Sequence, residues 1–181
     1  MISVIVRTKN EERWMLPCIN GILTQKIDVP IEIILVDNNS ADKTVERAKS
    51  ICPNIKLVTI DKFLPGLALN LGIRASQGDY IVCLSAHCPP VDENWLSNLL
   101  RNLEDTNVAG VYGRQLPTRF TNPFDKRDLL NTFGLDRKVQ IRDTFFHNAN
   151  SMIPRRVWER FQFDEKISNI EDRLWGQKVI D

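Results

Sequence analysis

Along the chain, short apolar runs of strand length alternate with longer segments of helical period. ISVIVR (2–7) stops at Thr-Lys-Asn-Glu-Glu, and Trp14, Cys18, Ile19 and Ile22 then recur at helical spacing, which predicts a strand followed by a helix. IEIILV (31–36) is a continuous apolar run, the pattern of a strand covered on both faces, and it stops at Asp37-Asn38-Asn39-Ser40. Ser40 or Asp42 is placed to cap a helix running to about Ser50. IKLVTI (55–60) predicts a third strand, followed by a helix from about Leu67 to Ala75 and a turn at Gly78. YIVCLS (80–85) predicts a fourth strand, residues 93–103 an amphipathic helix, and VAGVYG (108–113) a fifth strand. This order calls for a doubly wound, mostly parallel α/β sheet with right-handed crossovers and helices on both faces.

From Arg114 to His147 the period breaks down, with short helical pieces expected inside it, such as DKRDLLNTF. An irregular stretch of that length within a compact domain points to function. Order returns in HNANSMIPRRVWERF, where Pro154 suits the first turn of a helix. The segment IEDRLWGQKVI (170–180) places Ile170, Leu174 and Trp175 on one side of a further helix despite Gly176. Its abrupt end at Asp181 leads us to expect that the natural protein continues. One domain is expected, with residues 1–113 as one half and 114–181 as the other.

Composition narrows the class. With 181 residues, 43% hydrophobic and 26% charged, the chain has the makings of one globular core. A formal net charge of +1, with no basic block interleaved with aromatics, argues against nucleic acid as a partner. No apolar run reaches the roughly 20 residues that span a bilayer, and no leader precedes ISVIVR, so the chain reads as cytosolic. The four cysteines lack a CxxC spacing and read as reduced thiols. Asn38-Asn39-Ser40 fits a glycosylation acceptor pattern, which carries no weight without a secretion signal.

In open parallel sheets, ligands bind beyond the carboxyl ends of the strands. Four such ends carry polar clusters: Arg7 to Glu11, Asp37 to Ser40, Ser85 to His87, and Tyr112 to Gln115. Any one of them could merely cap helices and satisfy loop amides; four along one edge suggest a site. Neither GxGxxG nor GxxxxGK[ST] occurs, which argues against a dinucleotide enzyme or a P-loop phosphotransferase.

The ordered segments TKNEE, VDNNSADKT, GLALNLGIRASQGDYI, LSAHCPPVDENWL, HNANSMIPRRVWE and IEDRLWG together resemble a family 2 glycosyltransferase of the GT-A fold. VYGRQLP and VDNNS are similar to its bacterial rhamnosyltransferase-like members. The resemblance implies transfer of a sugar, with inversion, from a nucleoside diphosphate sugar to a glycan or lipid-linked acceptor, assisted by Mn²⁺ or Mg²⁺. It implies that Thr8, Lys9, Asn10 and Glu11 form the first donor loop, Lys9 standing where an aromatic often stacks on the base. It implies that the turn at Asp37 and Asn38 reads the base, and a carboxylate that accepts an imide N–H suits uracil or thymine. Asn70 matches a donor-side motif, and Leu69 stands in place of a frequent arginine, for which Arg74 could compensate.

Where the family carries the metal motif Asp-x-Asp, this chain has Ser85-Ala86-His87. The match to the Asp-x-His version of polypeptide N-acetylgalactosaminyltransferases implies His87 as metal ligand, and an imidazole favours Mn²⁺ over Mg²⁺. Ser85 is expected on the donor side. The alternative is that His87 closes a turn. Glu171-Asp172 matches the acid–base element, with Asp172 as the base; both acids would also complement the positive end of a helix. His147 and Asn148 are expected on the acceptor side, and Trp158 and Trp175 in the core. The expected function is thus a sugar-nucleotide-dependent transferase in polysaccharide or glycoconjugate biosynthesis, with contact to the inner face of a membrane left open. Its rivals are a transferase-like domain that binds without turnover and a nucleotidyltransferase that makes sugar nucleotides.

Overall fold

The computed structural model describes residues 1–180. The runs read as strands form β1 (Ile2–Thr8), β2 (Ile31–Asp37), β3 (Lys56–Thr59) and β4 (Tyr80–Ser85), joined through helices α1 (Glu12–Leu23), α2 (Thr44–Ile51) and α3 (Pro65–Arg74). These four strands pair in parallel in the spatial order β3-β2-β1-β4. Ile2 to Val6 are all fully buried or nearly so, because both faces of the central strand are covered and every side chain must be apolar or paired. One face packs on Met15, Cys18, Ile19 and Ile22 of α1; the other packs on Ala68, Leu69 and Ile73 of α3. Met15 rather than Trp14 completes the apolar stripe of α1, and Trp14 lies half-exposed beside Arg13.

The far side of the sheet departs from the sequence pattern. After α4 (Trp95–Arg101), VAGVYG yields only β5 (Val111–Tyr112), and α5 (Pro123–Phe133) covers the helix expected in DKRDLLNTF. A strand that the pattern did not show, β6 (Asn150–Pro154), inserts antiparallel between β4 and β5. Pro154 therefore ends a strand and caps α6 (Arg155–Arg160) instead of sitting in the first helical turn. Because β6 runs against β4, with Leu84 opposite Asn150, it brings residues 147–149 to the carboxyl edge beside Ser85.

The last helix, α7 (Glu171–Ile180), buries Glu171, Trp175 and Gly176, while Ile170 stays exposed with φ +59°. Gly176 is required by packing: a Cβ there would drive into the carbonyl oxygen of Thr144. Gly176→Ala is accordingly expected to destabilise the fold by about 1–3 kcal/mol despite the better helix propensity of alanine, as a urea titration would show. Trp158 and Trp175 are core residues, with their indole N–H groups donating to Asn70 Oδ1 and Phe161 O. The four thiols are unpaired, and burial pushes Cys18 and Cys83 up to about 12 and Cys88 to about 11. Among the described residues, no helix is long and apolar enough to cross a membrane.

Candidate active site

The first two loops of the carboxyl edge are tied together by reciprocal hydrogen bonds. Asn10, at φ +53°, donates its backbone N–H to Ser40 Oγ at 2.8 Å, and its side-chain oxygen accepts the N–H of Ala41 at 2.8 Å. Glu11 N–H donates to Thr44 Oγ1 at 2.8 Å, Glu12 N–H to Asp42 Oδ2 at 3.1 Å, and Lys43 N–H returns to Glu12 Oε2 at 3.1 Å. Asp42 thus accepts from the start of both helices; desolvation acts to raise its pKa, and the bonds from the Thr44 hydroxyl, the Glu12 N–H and the Thr44 N–H outweigh it and hold the carboxyl below the usual carboxylate range. The side-chain oxygen of Asn10 is engaged in this lock.

Asp37 is buried, and its two oxygens accept the Oγ–H of Ser40 at 2.5 Å and the N–H of Ser40 at 2.9 Å. Each oxygen keeps a free lone pair for a further donor. The Asn38 amide, oriented to suit its neighbours, donates to Ile60 O at 3.1 Å and accepts from Lys9 Nζ at 3.2 Å. Thr8 is buried beneath this corner with its hydroxyl unpartnered.

Arg7 organises the middle of the edge. Its guanidinium donates to Ser85 Oγ at 3.4 Å and to Asn148 O at 3.1 Å, and it pairs with the Glu171 carboxylate at 3.7 Å. Both partners of this pair are nearly buried, with side chains 11% and 8% exposed. Glu171 also accepts from Asn148 Nδ2 at 3.4 Å, so it serves to anchor α7 and is not a free acid. Asp172 is left half-exposed on the first turn of the same helix, accepting Asn148 N–H at 3.4 Å and Arg173 N–H at 2.8 Å. Of the two acids, Asp172 is the one available for proton transfer. No local motif assigns Arg7 a role of its own; the β1–β4 register, which sets it level with Ser85, does.

His87 stands 56% exposed at the rim, its Nδ1 2.9 Å from Glu11 Oε1. The Ser85 hydroxyl is engaged by Arg7, whose charge opposes a cation at that oxygen. No group of three or more His, Cys, Asp or Glu side chains among the described residues forms a closed cation site. His87, with Glu11 held behind its Nδ1, offers one nitrogen ligand and fits a cation that takes its other oxygen ligands from a diphosphate, the usual manner of Mg²⁺ at phosphate sites.

His147 is half-buried between Phe133 and Phe145, with Gln115 Nε2 2.9 Å from its Nδ1. Burial lowers its pKa below the usual 6.5, with the nearby Asp172 charge acting in the opposite sense. Above 6.5 both folded and unfolded chains hold this imidazole neutral. As the pH falls through 6.5 the unfolded chain takes up the proton first, so stability falls between there and the lowered folded value. His147→Asn is expected to flatten that part of the pH dependence of unfolding free energy between pH values of about 7.5 and 5.

Two expected donor contacts point elsewhere. Asn70 is fully buried and bonded to Trp158 Nε1, Phe163 O and Glu165 Oε1. Arg74 lies at the opposite end of α3, toward the amino edge of the sheet, where it pairs with Glu165 at 2.7 Å and cannot replace a diphosphate contact. An open cleft of about 1740 Å³ starts at His87 and runs beneath α5, lined by Trp14, Gln115, Phe120, Phe133 and Ile141 among others.

An α/β sheet of this order with its polar groups gathered on one edge has the GT-A fold. Solved structures share it: a Pyrobaculum calidifontis mannosyltransferase in complex with GDP-Man and Mn²⁺ aligns at TM-score 0.73 and 24% identity, over 98% of this chain and 51% of its own. TarS of S. aureus in complex with UDP-GlcNAc aligns at TM-score 0.71 and 18% identity, over 99% and 53%. The chain belongs to glycosyl transferase family 2, whose family model matches residues 3–161. Among curated relatives, the O-antigen chain rhamnosyltransferase RfbN of Salmonella typhimurium is 27% identical over 99% of this chain and 60% of its own length. A Methanococcus voltae dolichyl N-acetyl-alpha-D-glucosaminyl phosphate diacetamido-dideoxyglucuronosyltransferase is 32% identical over 62% of this chain and 38% of its own length. The chain thus spans less than two thirds of the length of these relatives.

Proposed function

We propose that the chain carries the donor and base machinery of an inverting glycosyltransferase that moves a sugar from a UDP- or dTDP-linked donor to a hydroxyl of a glycan or lipid-linked acceptor. The observation that carries this reading is the division of labour at the start of α7: Glu171 is committed to Arg7, and Asp172 is free at the carboxyl edge beside His147. Asp172 takes the proton from the acceptor hydroxyl as its oxygen forms a bond to the anomeric carbon. The bond from that carbon to the diphosphate breaks, and the nucleoside diphosphate leaves. General base catalysis of this kind is worth about 10²–10⁴-fold.

Asp37, Asn38 and Lys9 form the corner suited to the base and ribose, and the free lone pairs of Asp37 favour an imide-bearing pyrimidine. A divalent cation held at His87 would offset negative charge on the departing diphosphate. Residues 114–147, which line the cleft beyond His87 and Gln115, form the acceptor side. The names of the relatives, which include O-antigen chain rhamnosyltransferases and a dolichyl-linked sugar transferase, support polysaccharide or glycoconjugate assembly.

The engagement of Ser85 by Arg7 favours, as a second reading, a domain that binds donor without turning it over. The test is incubation with UDP- and dTDP-sugars and a panel of glycan acceptors, following nucleoside diphosphate release and the anomeric configuration of the product by NMR. Inverted product is expected. Donor bound and left intact with every acceptor would favour the second reading, and retained configuration would contradict the direct displacement.

A further inference from the structure

The chain has two histidines, and the groups facing their Nδ1 atoms differ in kind. At His87 the neighbour is the Glu11 carboxylate, 2.9 Å away. An ionised carboxylate only accepts, so Nδ1 must carry the hydrogen, and a neutral ring then has its lone pair on Nε2. Glu11 is itself held in place, because its backbone N–H is bonded to Thr44 and the following residue to Asp42. At His147 the neighbours are donors. The backbone N–H of Ala149 points at Nδ1 from 3.3 Å, and Gln115 Nε2 lies at 2.9 Å. The Gln115 amide could be reversed, but a backbone N–H only donates. Nδ1 of His147 must therefore be the acceptor, and the hydrogen sits on Nε2.

We propose that the two imidazoles are fixed in opposite tautomers: Glu11 turns His87 into a lone-pair donor at Nε2 for a divalent cation, and the Ala149–Gln115 pair makes His147 an N–H donor to an acceptor oxygen. Glu11 is a positioning residue in this assignment, the carboxylate–histidine arrangement that orients metal-bound imidazoles generally. His147 is excluded as a cation ligand at Nε2, since ligation there would require moving its hydrogen to Nδ1, against the Ala149 N–H. The nature of the two ligands rests on the transferase reading; the tautomers belong to the unliganded chain and are measurable without any substrate.

Long-range ¹H–¹⁵N spectra of histidine-labelled chain at about pH 9, where ordinary imidazoles are neutral, test the assignment. His87→Gln and His147→Gln identify the signals. The expected result is a protonated Nδ1 in His87 and a protonated Nε2 in His147. Nε2–H is the form that free imidazole side chains favour in water, so the His87 result is diagnostic. In Glu11→Leu, which removes the acceptor at Nδ1, only the His87 pattern should change. With UDP present to supply its other oxygen ligands, Mn²⁺ should broaden the His87 signals before those of His147, and its affinity, measured by electron paramagnetic resonance, should fall about 10–100-fold in Glu11→Leu. A protonated Nε2 in His87, or the same tautomer at both rings, would overturn the assignment whether or not the variant folds. Failure of Mn²⁺ to bind, or broadening centred on His147, would overturn the ligand role of His87. Absence of sugar transfer with both tautomers as stated would count against the transferase reading alone.

Discussion

Asp172→Asn is expected to slow transfer by about 10²–10⁴-fold and leave nucleotide binding in place. The asparagine keeps the size of the side chain and can still accept one of the two N–H groups, that of Asn148 or that of Arg173, through its single carbonyl oxygen, so the start of α7 is largely preserved. What it loses is the basic, negatively charged carboxylate that takes the acceptor proton. Initial rates of nucleoside diphosphate release, set beside calorimetric binding of the same nucleotide, separate the two effects. A variant that retains full turnover would remove Asp172 from the mechanism.

Arg7→Met is expected to cost about 3–5 kcal/mol of stability, the usual penalty for stranding one member of a buried ion pair. Glu171 would remain buried with only the Asn148 amide for company, and Ser85 and the Asn148 carbonyl would each lose a donor. Glu171→Gln in the Arg7→Met background should recover much of the loss, since the stranded charge is then gone. Urea unfolding of wild type, both single variants and the double variant gives the coupling directly. Equal losses in Arg7→Met and in the double variant would mean that the pair carries no such energy.

The parallel half of the fold was legible because β1, β2 and β4 are covered on both faces and must read as unbroken apolar runs. The other half was not. Asn150 to Pro154 offers three residues between an asparagine and a proline, too short to separate from the helix that follows it, and only its pairing with β4 makes it a strand. VAGVYG reads as a longer strand than it is because β6 gives it a two-residue partner. Of the residues proposed for the site, Asp172, His87, Asp37 and Glu11 stand in local motifs that the sequence shows. Arg7 could not be picked out this way, because its hydrogen-bond partners lie 78 and 141 positions away and nothing nearby in sequence shows that a cation is buried there. Asn70 and Arg74 show the converse. A local motif suggested a ligand contact, but the chain near residue 165 folds back onto α3 and claims both side chains.

The central claim is that the carboxyl edge of this sheet holds a nucleoside diphosphate. Calorimetric titration of the chain with UDP, dTDP, GDP and CDP, each with and without Mn²⁺, tests it most directly. The account predicts saturable binding of UDP or dTDP in preference to GDP and CDP, strengthened by Mn²⁺ in the wild type and indifferent to it in His87→Ala. Binding of none of the four nucleotides would contradict it.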